Sequence, residues 1–162
     1  MEAVREAVFS SLGSVEGLKV LDLFAGSGAL GMEAWSRGAE SITFVEQSPN
    51  VWKNLQQNIL SLENDDLGET RCFKSDVVRW LSRAGTSFDL ILADPPYDLP
   101  DAMENTLAGI AEHSVLTPGG ILVYEMRSKG DPVVSADWEV LRDKRYGKTR
   151  VLTLKLKNRD AV

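Results

Sequence analysis

A strand-like apolar run ends in a stiff corner, Asp94-Pro95-Pro96-Tyr97. The six residues before it, FDLILA, predict a buried strand. The two prolines have fixed φ angles and no N–H group, so they favour neither a strand nor a helix. Asp94 brings a carboxylate that accepts hydrogen bonds, and Tyr97 brings an aromatic face. The sequence therefore predicts that these four residues are held in a set geometry for a purpose other than regular structure.

A glycine-rich loop is the second candidate site. Gly26, Gly28 and Gly31 have the G-x-G-x-x-G spacing and lie between the predicted strand KVLDLF and a predicted helix. In that position a ligand can approach the free N–H groups at the helix N-terminus. Glu46, at the end of the next predicted strand, is placed to bind ribose hydroxyls. Together they predict a nucleoside-containing cofactor, either a dinucleotide or S-adenosylmethionine.

The alternation of strand and helix patterns predicts how these residues are brought together. Four strands are each followed by a helix, then LTPGG predicts a turn, a fifth strand follows, and two last strands meet at Tyr146-Gly147. The expected fold is a doubly wound α/β domain over residues 1–162, with a mostly parallel seven-stranded sheet and a C-terminal antiparallel hairpin. The first five predicted strands are KVLDLF, SITFVE, TRCFKS, FDLILA and ILVYEM, and the predicted helices cover residues 2–12, 29–39, 50–62, 77–84 and 102–115.

Further motifs connect the two sites. Together with VREAVFSSL, LDLFAGSGALGMEAWSRGA, FVEQS and RYGKTRV, the Asp-Pro-Pro-Tyr corner resembles the signature of S-adenosylmethionine-dependent methyltransferases that act on exocyclic amino groups of nucleobases. Over nearly the whole chain the sequence is similar to the RsmD family of ribosomal RNA guanine-N2 methyltransferases, which act on the small-subunit RNA. The resemblance implies a Rossmann-like methyltransferase fold, S-adenosyl-L-methionine as cofactor, and ribosomal RNA or an assembling small subunit as partner. Family members usually carry a basic arm ahead of the first motif, and we expect this chain to lack it.

The resemblance also implies residue roles. Asp94, Pro95, Pro96 and Tyr97 would be catalytic: the Asp94 carboxylate and the Pro95 carbonyl would accept hydrogen bonds from the amine and aim its lone pair at the methyl group. The Tyr97 ring would stack on an extruded base. The implied cofactor-binding residues are Asp22, Phe24, Gly26 and Gly28 for the methionine part, Glu46 and Gln47 for the ribose, and Asp76 and Val77 for the adenine.

The charge of the chain is unevenly distributed. The formal net charge is −6, yet residues 142–159 carry eight basic side chains against one acid, Asp143. This segment suits an acidic partner, although a basic hairpin also protects an edge strand from aggregation.

The composition of the chain limits membrane-spanning segments, disulfides and metal sites. No apolar run approaches the roughly 20 residues that span a bilayer, so we expect no membrane insertion. Cys72 and His113 supply neither an internal disulfide nor a zinc set, so we expect no metal, and Cys72 is expected in the core. We expect a monomer in the cytoplasm, or in a plastid or mitochondrion if the source is eukaryotic.

Other functions fit parts of this pattern. A DNA adenine-N6 or cytosine-N4 methyltransferase shares the Asp-Pro-Pro-Tyr corner, but 162 residues leave no room for a separate target-recognition domain. A protein glutamine methyltransferase would grip a planar amide in the same way. An NAD-dependent dehydrogenase fits the glycine loop and gives the corner no role. A cofactor-binding module without catalysis is the non-enzymatic alternative, and turnover on RNA separates it from the enzyme.

Overall fold

The computed structural model describes residues 2–158. Met1 lies outside this range, and so does Arg159, the last of the eight basic residues in the segment 142–159. The longest helix has 14 residues, and none within this range is long and apolar enough to cross a membrane. The helices are α1 (Glu2–Leu12), α2 (Ala29–Ser36), α3 (Pro49–Leu62), α4 (Val77–Ser82) and α5 (Ala102–Glu112), and the strands are β1 (Lys19–Leu23), β2 (Ser41–Glu46), β3 (Glu69–Lys74), β4 (Phe88–Ala93), β5 (Leu116–Arg127), β6 (Trp138–Tyr146) and β7 (Thr149–Leu156).

The seven strands form one sheet in the order β3-β2-β1-β4-β5-β7-β6. Strands β1 to β5 are parallel, whereas β7 pairs antiparallel with both β5 and β6. The predicted fold class is therefore confirmed, including the C-terminal hairpin. The order of the strands reverses between β1 and β4, and doubly wound sheets bind ligands at the carboxyl ends of the strands beside such a point.

Helices cover both faces of the sheet, as the continuous apolar runs of its central strands predict. Helices α1, α2 and α3 pack on one face, and α4 and α5 pack on the other. Along β4, Leu90 and Leu92 contact the α1–α3 layer while Ile91 contacts the α4–α5 layer, because successive strand residues point to opposite faces. The Trp35 indole of α2 is buried and donates a hydrogen bond to the Gly68 carbonyl at 2.8 Å. The strands that end at the candidate site are thus fixed by packing on both sides.

Two predictions around β5 differ from the structure. Helix α5 ends at Glu112 and does not reach 115, because Ser114 has a left-handed φ of 52°. The Val115 N–H then donates back to the Ile110 carbonyl at 3.0 Å, which terminates the helix. The predicted LTPGG turn lies inside β5, where the register with β4 shifts, so it forms a bulge within the strand.

Two other predictions concern single side chains. Ser48 stands at the N-cap of α3, but its side chain makes no capping hydrogen bond, and its backbone N–H donates instead to the Glu46 carboxylate at 2.9 Å. Cys72 is half-buried and not fully within the core, because β3 is an edge strand of the sheet. Burial raises the pKa of the Cys72 thiol to about 11, so it stays protonated and unreactive at neutral pH.

Candidate active site

A cleft of about 590 Å³ opens at the carboxyl edge of the sheet, among the loops that follow β1, β2 and β4. It lies at the reversal of strand order, where ligand sites of this fold class form. Gly28 and Asp76 are not among its lining residues. The predicted site residues that line it are Asp22, Phe24, Gly26, Glu46, Gln47, Val77, Asp94, Pro95, Pro96 and Tyr97.

Asp22 anchors the glycine loop from beneath. It is 1% exposed, and its Oδ2 accepts a hydrogen bond from the Gly31 N–H at 3.0 Å. Burial raises the pKa of Asp22 well above its ordinary value; the Gly31 hydrogen bond opposes the rise, and the charges of neighbouring carboxylates, first that of Asp94, add to it. Asp22 thus fixes the path of the chain from β1 into α2 and brings a buried carboxyl to the floor of the cleft.

The last two glycines of the motif are required by close packing. A Cβ on Gly31 would lie 2.5 Å from the Phe44 ring and 2.9 Å from Asp22 Oδ2. Gly28 has a φ of +86°, and a Cβ there would lie 2.5 Å from the Leu55 side chain. A larger residue at either position would push the helix away from the sheet. The predicted cofactor contact of Gly28 stays a prediction, since Gly28 is buried behind the cleft wall.

Glu46 joins two walls of the cleft. Its Oε1 accepts from the Gly26 N–H and its Oε2 from the Ser48 N–H, both at 2.9 Å. Each carboxylate oxygen has a second lone pair, and Glu46 lines the cleft, so both oxygens can accept further hydrogen bonds from a ligand. The loops after β1 and β2 are therefore held together by the residue predicted to bind ribose hydroxyls.

Asp76 caps helix α4. Its Oδ2 accepts from the Arg79 N–H at 2.9 Å, as expected of an N-cap residue. The next residue, Val77, is buried and lines the cleft. The capping alternative for Asp76 is confirmed, and its predicted contact with adenine remains a prediction.

The Asp94 corner forms the opposite wall of the cleft. Pro95 is buried, whereas the Asp94 and Pro96 side chains are exposed at the mouth. The surrounding protein partly desolvates the Asp94 carboxyl and raises its pKa. Within residues 2–158 the Asp94 carboxylate has no hydrogen-bonding or ion-pair partner, so its oxygens are available to a ligand donor.

Tyr97 stands at the cleft rim beside a basic residue. Its side chain is 52% exposed, and the Arg127 guanidinium lies over its ring at 4.7 Å from the centroid. A cation over one ring face holds the ring in place and leaves the other face accessible. The ring was predicted from the sequence but its cationic neighbour was not, because Tyr97 lies in the turn after β4 and Arg127 lies far along the chain at the end of β5.

Glu125 is an acidic neighbour of the site that sequence reasoning missed, and it lines an adjoining pocket that shares residues 95–97 with the cleft. It is only 7% exposed and lies on β5 next to Tyr124, which pairs with Ala93 of β4, so it neighbours Asp94. Burial, and secondarily the charge of Asp94, raises the pKa of Glu125 to about 7. Among the described residues no hydrogen-bond donor or basic group contacts it. The available signal was an acid in the apolar strand ILVYEM, which strand alternation alone does not assign to the site.

The apolar part of the cleft wall was also missed. Leu30 of α2, Val51 of α3 and Leu99 after the corner complete the lining. The first two come from the opening turns of helices whose N-termini face the cleft. Hydrophobic walls with a few placed polar groups are typical of cofactor sites, and the volume lies within the roughly 300–1,000 Å³ of such pockets.

The charge of the cleft restricts its ligand. Asp22, Glu46 and Asp94 are lining residues, and no lysine or arginine of the described chain lines it. Acidic walls attract a cation and repel phosphate groups. Within residues 2–158 no group of three or more His, Cys, Asp or Glu side chains is arranged to hold a metal ion. With acidic side chains and no lysine or arginine among the described lining residues, the cleft suits a cationic ligand better than one that carries a pyrophosphate.

Known proteins resemble this chain over most of its length. Residues 1–155 match the family model described as Conserved hypothetical protein 95. The protein named Ribosomal RNA small subunit methyltransferase D from Escherichia coli strain K12 is 32% identical over 148 residues, which cover 90% of this chain and 73% of that protein. YlbH of Bacillus subtilis strain 168, named as an rRNA methyltransferase, is 33% identical over 159 residues, which cover 95% and 85% of the two chains.

Two solved structures share the fold of this chain. The Escherichia coli protein yhhF, named as a methyltransferase, matches with a TM-score of 0.86 at 29% identity, covering 97% of this chain and 86% of that one. A conserved hypothetical protein of Streptococcus pyogenes matches with a TM-score of 0.82 at 30% identity, covering 93% of each chain. The family match over residues 1–155 and the 32% identity over 90% of the chain show that the chain belongs to the Conserved hypothetical protein 95 family, that of the RsmD-like ribosomal RNA methyltransferases.

Proposed function

We propose that this chain transfers the methyl group of S-adenosylmethionine to the exocyclic N2 amine of a guanine in small-subunit ribosomal RNA. One observation carries the proposal: the Asp94–Tyr97 corner and the loop bound by Glu46 line the same cleft. A methyl donor and an amine must meet within bonding reach, and two separate pockets would not permit this.

The acidic cleft supports the choice of cofactor. S-adenosylmethionine carries a sulfonium cation and a ribose, whereas NAD carries an anionic pyrophosphate. With Asp22, Glu46 and Asp94 in the lining, the cleft favours the first and opposes the second. We propose that Glu46, with Gln47, binds the ribose hydroxyls, that Asp22 and the loop of Phe24 and Gly26 hold the methionine part, and that Asp76 and Val77 contact the adenine.

The corner would prepare the amine for reaction. Bound S-adenosylmethionine would supply an electrophilic methyl group. The guanine N2 lone pair is delocalised into the ring, so the amine is a weak nucleophile until it is oriented. The Asp94 carboxylate and the Pro95 carbonyl would each accept one N–H hydrogen bond and direct the lone pair into the cleft. The two prolines limit backbone motion at the corner, and Tyr97 offers the ring face on which the base would stack.

Proton transfer completes the reaction. When the N2 nitrogen gains a methyl group it becomes positively charged, and one of its protons becomes acidic. Asp94, already hydrogen-bonded to the amine, is placed to take that proton and pass it to water at the exposed mouth of the cleft. No stronger base is needed.

The names of the relatives support the substrate class. The Escherichia coli relative is named for methylation of small-subunit ribosomal RNA. A DNA base or a protein glutamine would present the same planar amine to the corner, so they are the alternatives to exclude. The single-domain organisation, the monomeric state and the cytoplasmic location stay predictions.

Two measurements test the proposal. Calorimetric titration with S-adenosylhomocysteine and, separately, with NAD should show binding of the first alone, at micromolar strength. Small ribosomal subunits lacking the modification, double-stranded DNA and a glutamine peptide are then offered with radiolabelled methyl donor. Label found only in the subunit RNA, as N2-methylguanosine, is the expected result. Label in DNA or peptide, or NAD binding, would reject the proposal.

A further inference from the structure

The carboxyl edge of the sheet carries two regions of opposite charge. The cleft is acidic, whereas the β6–β7 hairpin is basic. Two of the hairpin cations are neutralised: Arg150 pairs with Asp143, and Lys155 pairs with Glu139 at 3.5 Å. The cations that remain exposed and make no ion pair within residues 2–158 include Arg142, Lys144, Arg145 and Lys148.

The tip of the hairpin lies next to the cleft. Thr149 of β7 pairs on one side with Arg127 of β5 and on the other with Tyr146 of β6. Neighbouring strands are about 4.8 Å apart, so Arg127 and Tyr146 are separated by roughly 10 Å across the same face. The Ser128 N–H donates to the Lys148 carbonyl at 2.8 Å, which ties the turn to the end of β5. The basic turn is therefore held at the edge where the cleft opens.

Aromatic and basic side chains alternate along this path. Arg127 covers the Tyr97 ring at 4.7 Å, and the Lys144 ammonium lies 5.5 Å from the Tyr146 ring centroid. Alternate strand residues share a face, so Arg142 and Lys144 follow Tyr146 along one side of β6. We call the residues Tyr97, Arg127, Tyr146, Lys144 and Arg142 the hairpin strip.

We propose that the hairpin strip binds the single-stranded RNA that flanks the target base, with its basic residues on phosphates and its tyrosines against bases. The inference rests on the proposed function, since it supplies the surface that delivers the RNA. Stacking platforms interleaved with cations are what single strands require. The acidic cleft repels phosphates, so the backbone would follow the strip while only the flipped base enters.

Protection of the edge strand β6 from aggregation is a simpler explanation of the basic charges. The structure shows that edge protection does not explain all of them. Arg127 lies on β5, an interior strand of the sheet, where no edge needs protection. Its guanidinium lies over the exposed ring of the proposed catalytic corner. Edge protection requires charge of either sign on β6, whereas RNA binding requires positive charge. Charge reversal therefore separates the two explanations.

The experiment compares two double variants with the same change in net charge. The strip variant is Arg142→Glu with Lys144→Glu, and the control is Lys53→Glu with Arg83→Glu, which lie exposed on α3 and just after α4. Binding of small-subunit ribosomal RNA transcribed in vitro is titrated between about 50 and 200 mM salt. The strip variant should lose about tenfold or more in affinity, and the slope of log K against log salt should fall by about 1.4, or 0.7 per lost phosphate contact. The control should stay within about twofold of the parent chain.

Three results would overturn the inference: equal loss in both variants, no loss in either, or normal RNA binding with loss of binding to assembled subunits, which would indicate a protein partner. S-adenosylhomocysteine titration checks that each variant is folded, and Arg142→Gln with Lys144→Gln replaces the reversal if it is not. Methyl transfer by the parent chain is measured separately. If the parent chain binds RNA through the hairpin strip but transfers no methyl group, the proposed function is rejected and the RNA-binding role of the strip is retained. If the parent chain transfers methyl groups and the strip variant has the same KM for RNA, only the role of the strip is rejected.

Discussion

The two walls of the cleft differ in how their acidic residues are satisfied. On the β1–β2 side, Asp22 accepts from Gly31, Glu46 accepts from Gly26 and Ser48, and these bonds hold the loops in place without a ligand. On the β4 side, the Asp94 carboxylate finds no donor among the described residues, and neither does Glu125 on the neighbouring strand β5, which lies outside the cleft lining. Hydrogen bonds within the protein organise the first wall, whereas the second leaves the exposed Asp94 oxygens open to water or to a ligand donor. Under the proposed function, the first would be the cofactor wall and the second the base wall.

Asp94→Ala should separate the two walls most strongly. Loss of the acceptor should lower methyl transfer by about 10²–10³-fold, because a preset hydrogen bond to the reacting group is lost. S-adenosylhomocysteine affinity should stay within about threefold, since no bond of the β1–β2 wall involves Asp94. Single-turnover transfer and calorimetry measure the two quantities. Asp98→Ala, in the exposed segment after the corner, is the control and should retain both. Equal loss of binding and transfer in Asp94→Ala would place Asp94 in the cofactor wall.

Glu46→Gln should show the reverse. The amide NH2 would face a backbone N–H of Gly26 or Ser48, leaving donors opposed at a cost of about 1–3 kcal/mol. We expect S-adenosylhomocysteine binding to weaken by about tenfold or more, with a smaller effect on transfer at saturating cofactor. Titration of the variant beside Glu40→Gln, an exposed acid between α2 and β2, makes the comparison. Unchanged cofactor affinity would remove Glu46 from the cofactor wall.

Glu125→Gln tests whether the carboxyl beside Asp94 is buried without a partner, and the free energy of unfolding is the quantity measured. Because burial raises the pKa of Glu125 from 4.5 to about 7, the folded protein holds a proton that the unfolded chain releases between those values, and stability falls as pH rises through that window. The variant lacks this penalty. A rise of about 2.5 pKa units, at about 1.4 kcal/mol per unit, should make the variant more than about 3 kcal/mol more stable than the parent at pH 8, and at pH 4.5 the difference should nearly vanish.

Urea unfolding at the two pH values measures the Glu125 effect. Besides burial, the charge of Glu125 is one of the causes that raise the pKa of Asp22, so the variant also relieves part of that rise, and this adds to the difference at high pH in the same direction. Glu63→Gln, an exposed acid at the end of α3 with no ion pair among the described residues, serves as the control for the substitution itself. A stability difference of equal size at both pH values would show that shape, not charge, is responsible.

Asp76→Ala should have the smallest effect of these variants, and it tests whether Asp76 both caps α4 and contacts the adenine. Loss of the α4 cap should cost about 1 kcal/mol of stability, and Asp76→Asn should restore most of it because an amide oxygen still caps. Thermal unfolding measures the cap, and cofactor titration measures the proposed adenine contact. A cofactor affinity that is normal in Asp76→Asn, while stability follows the capping pattern, would leave Asp76 with the cap alone.

The framework of the site was predictable because it depends on local patterns. Apolar runs predicted the strands, and acids at the ends of β2 and β4 predicted which side chains meet at one edge. The glycine spacing and the two prolines predicted where the chain must turn tightly. Each of these features involves residues close together in sequence, so pattern and chemistry agree without knowledge of the tertiary fold.

The parts that were missed depend on pairing between distant strands. Glu125 neighbours the site only because β5 lies beside β4, and Arg127 meets Tyr97 for the same reason. The bulge at LTPGG requires the β4 register, which no local pattern contains. Gly28 fits the motif, but whether it faces a ligand or the Leu55 side chain depends on how α3 packs.

The antiparallel direction of β7 sets the reach of the hairpin. Strand β7 returns from β6 through a tight turn at Gly147 and Lys148, where a parallel strand would need a crossover of a dozen or more residues. This reversal makes β6 point the same way as β5, so the turn emerges beside the cleft. Adding or removing one residue pair in the two strands would move the turn by about 3.4 Å without touching the parallel core. If the hairpin binds RNA as proposed, its length sets the distance between the bound strand and the base at the Asp94 corner.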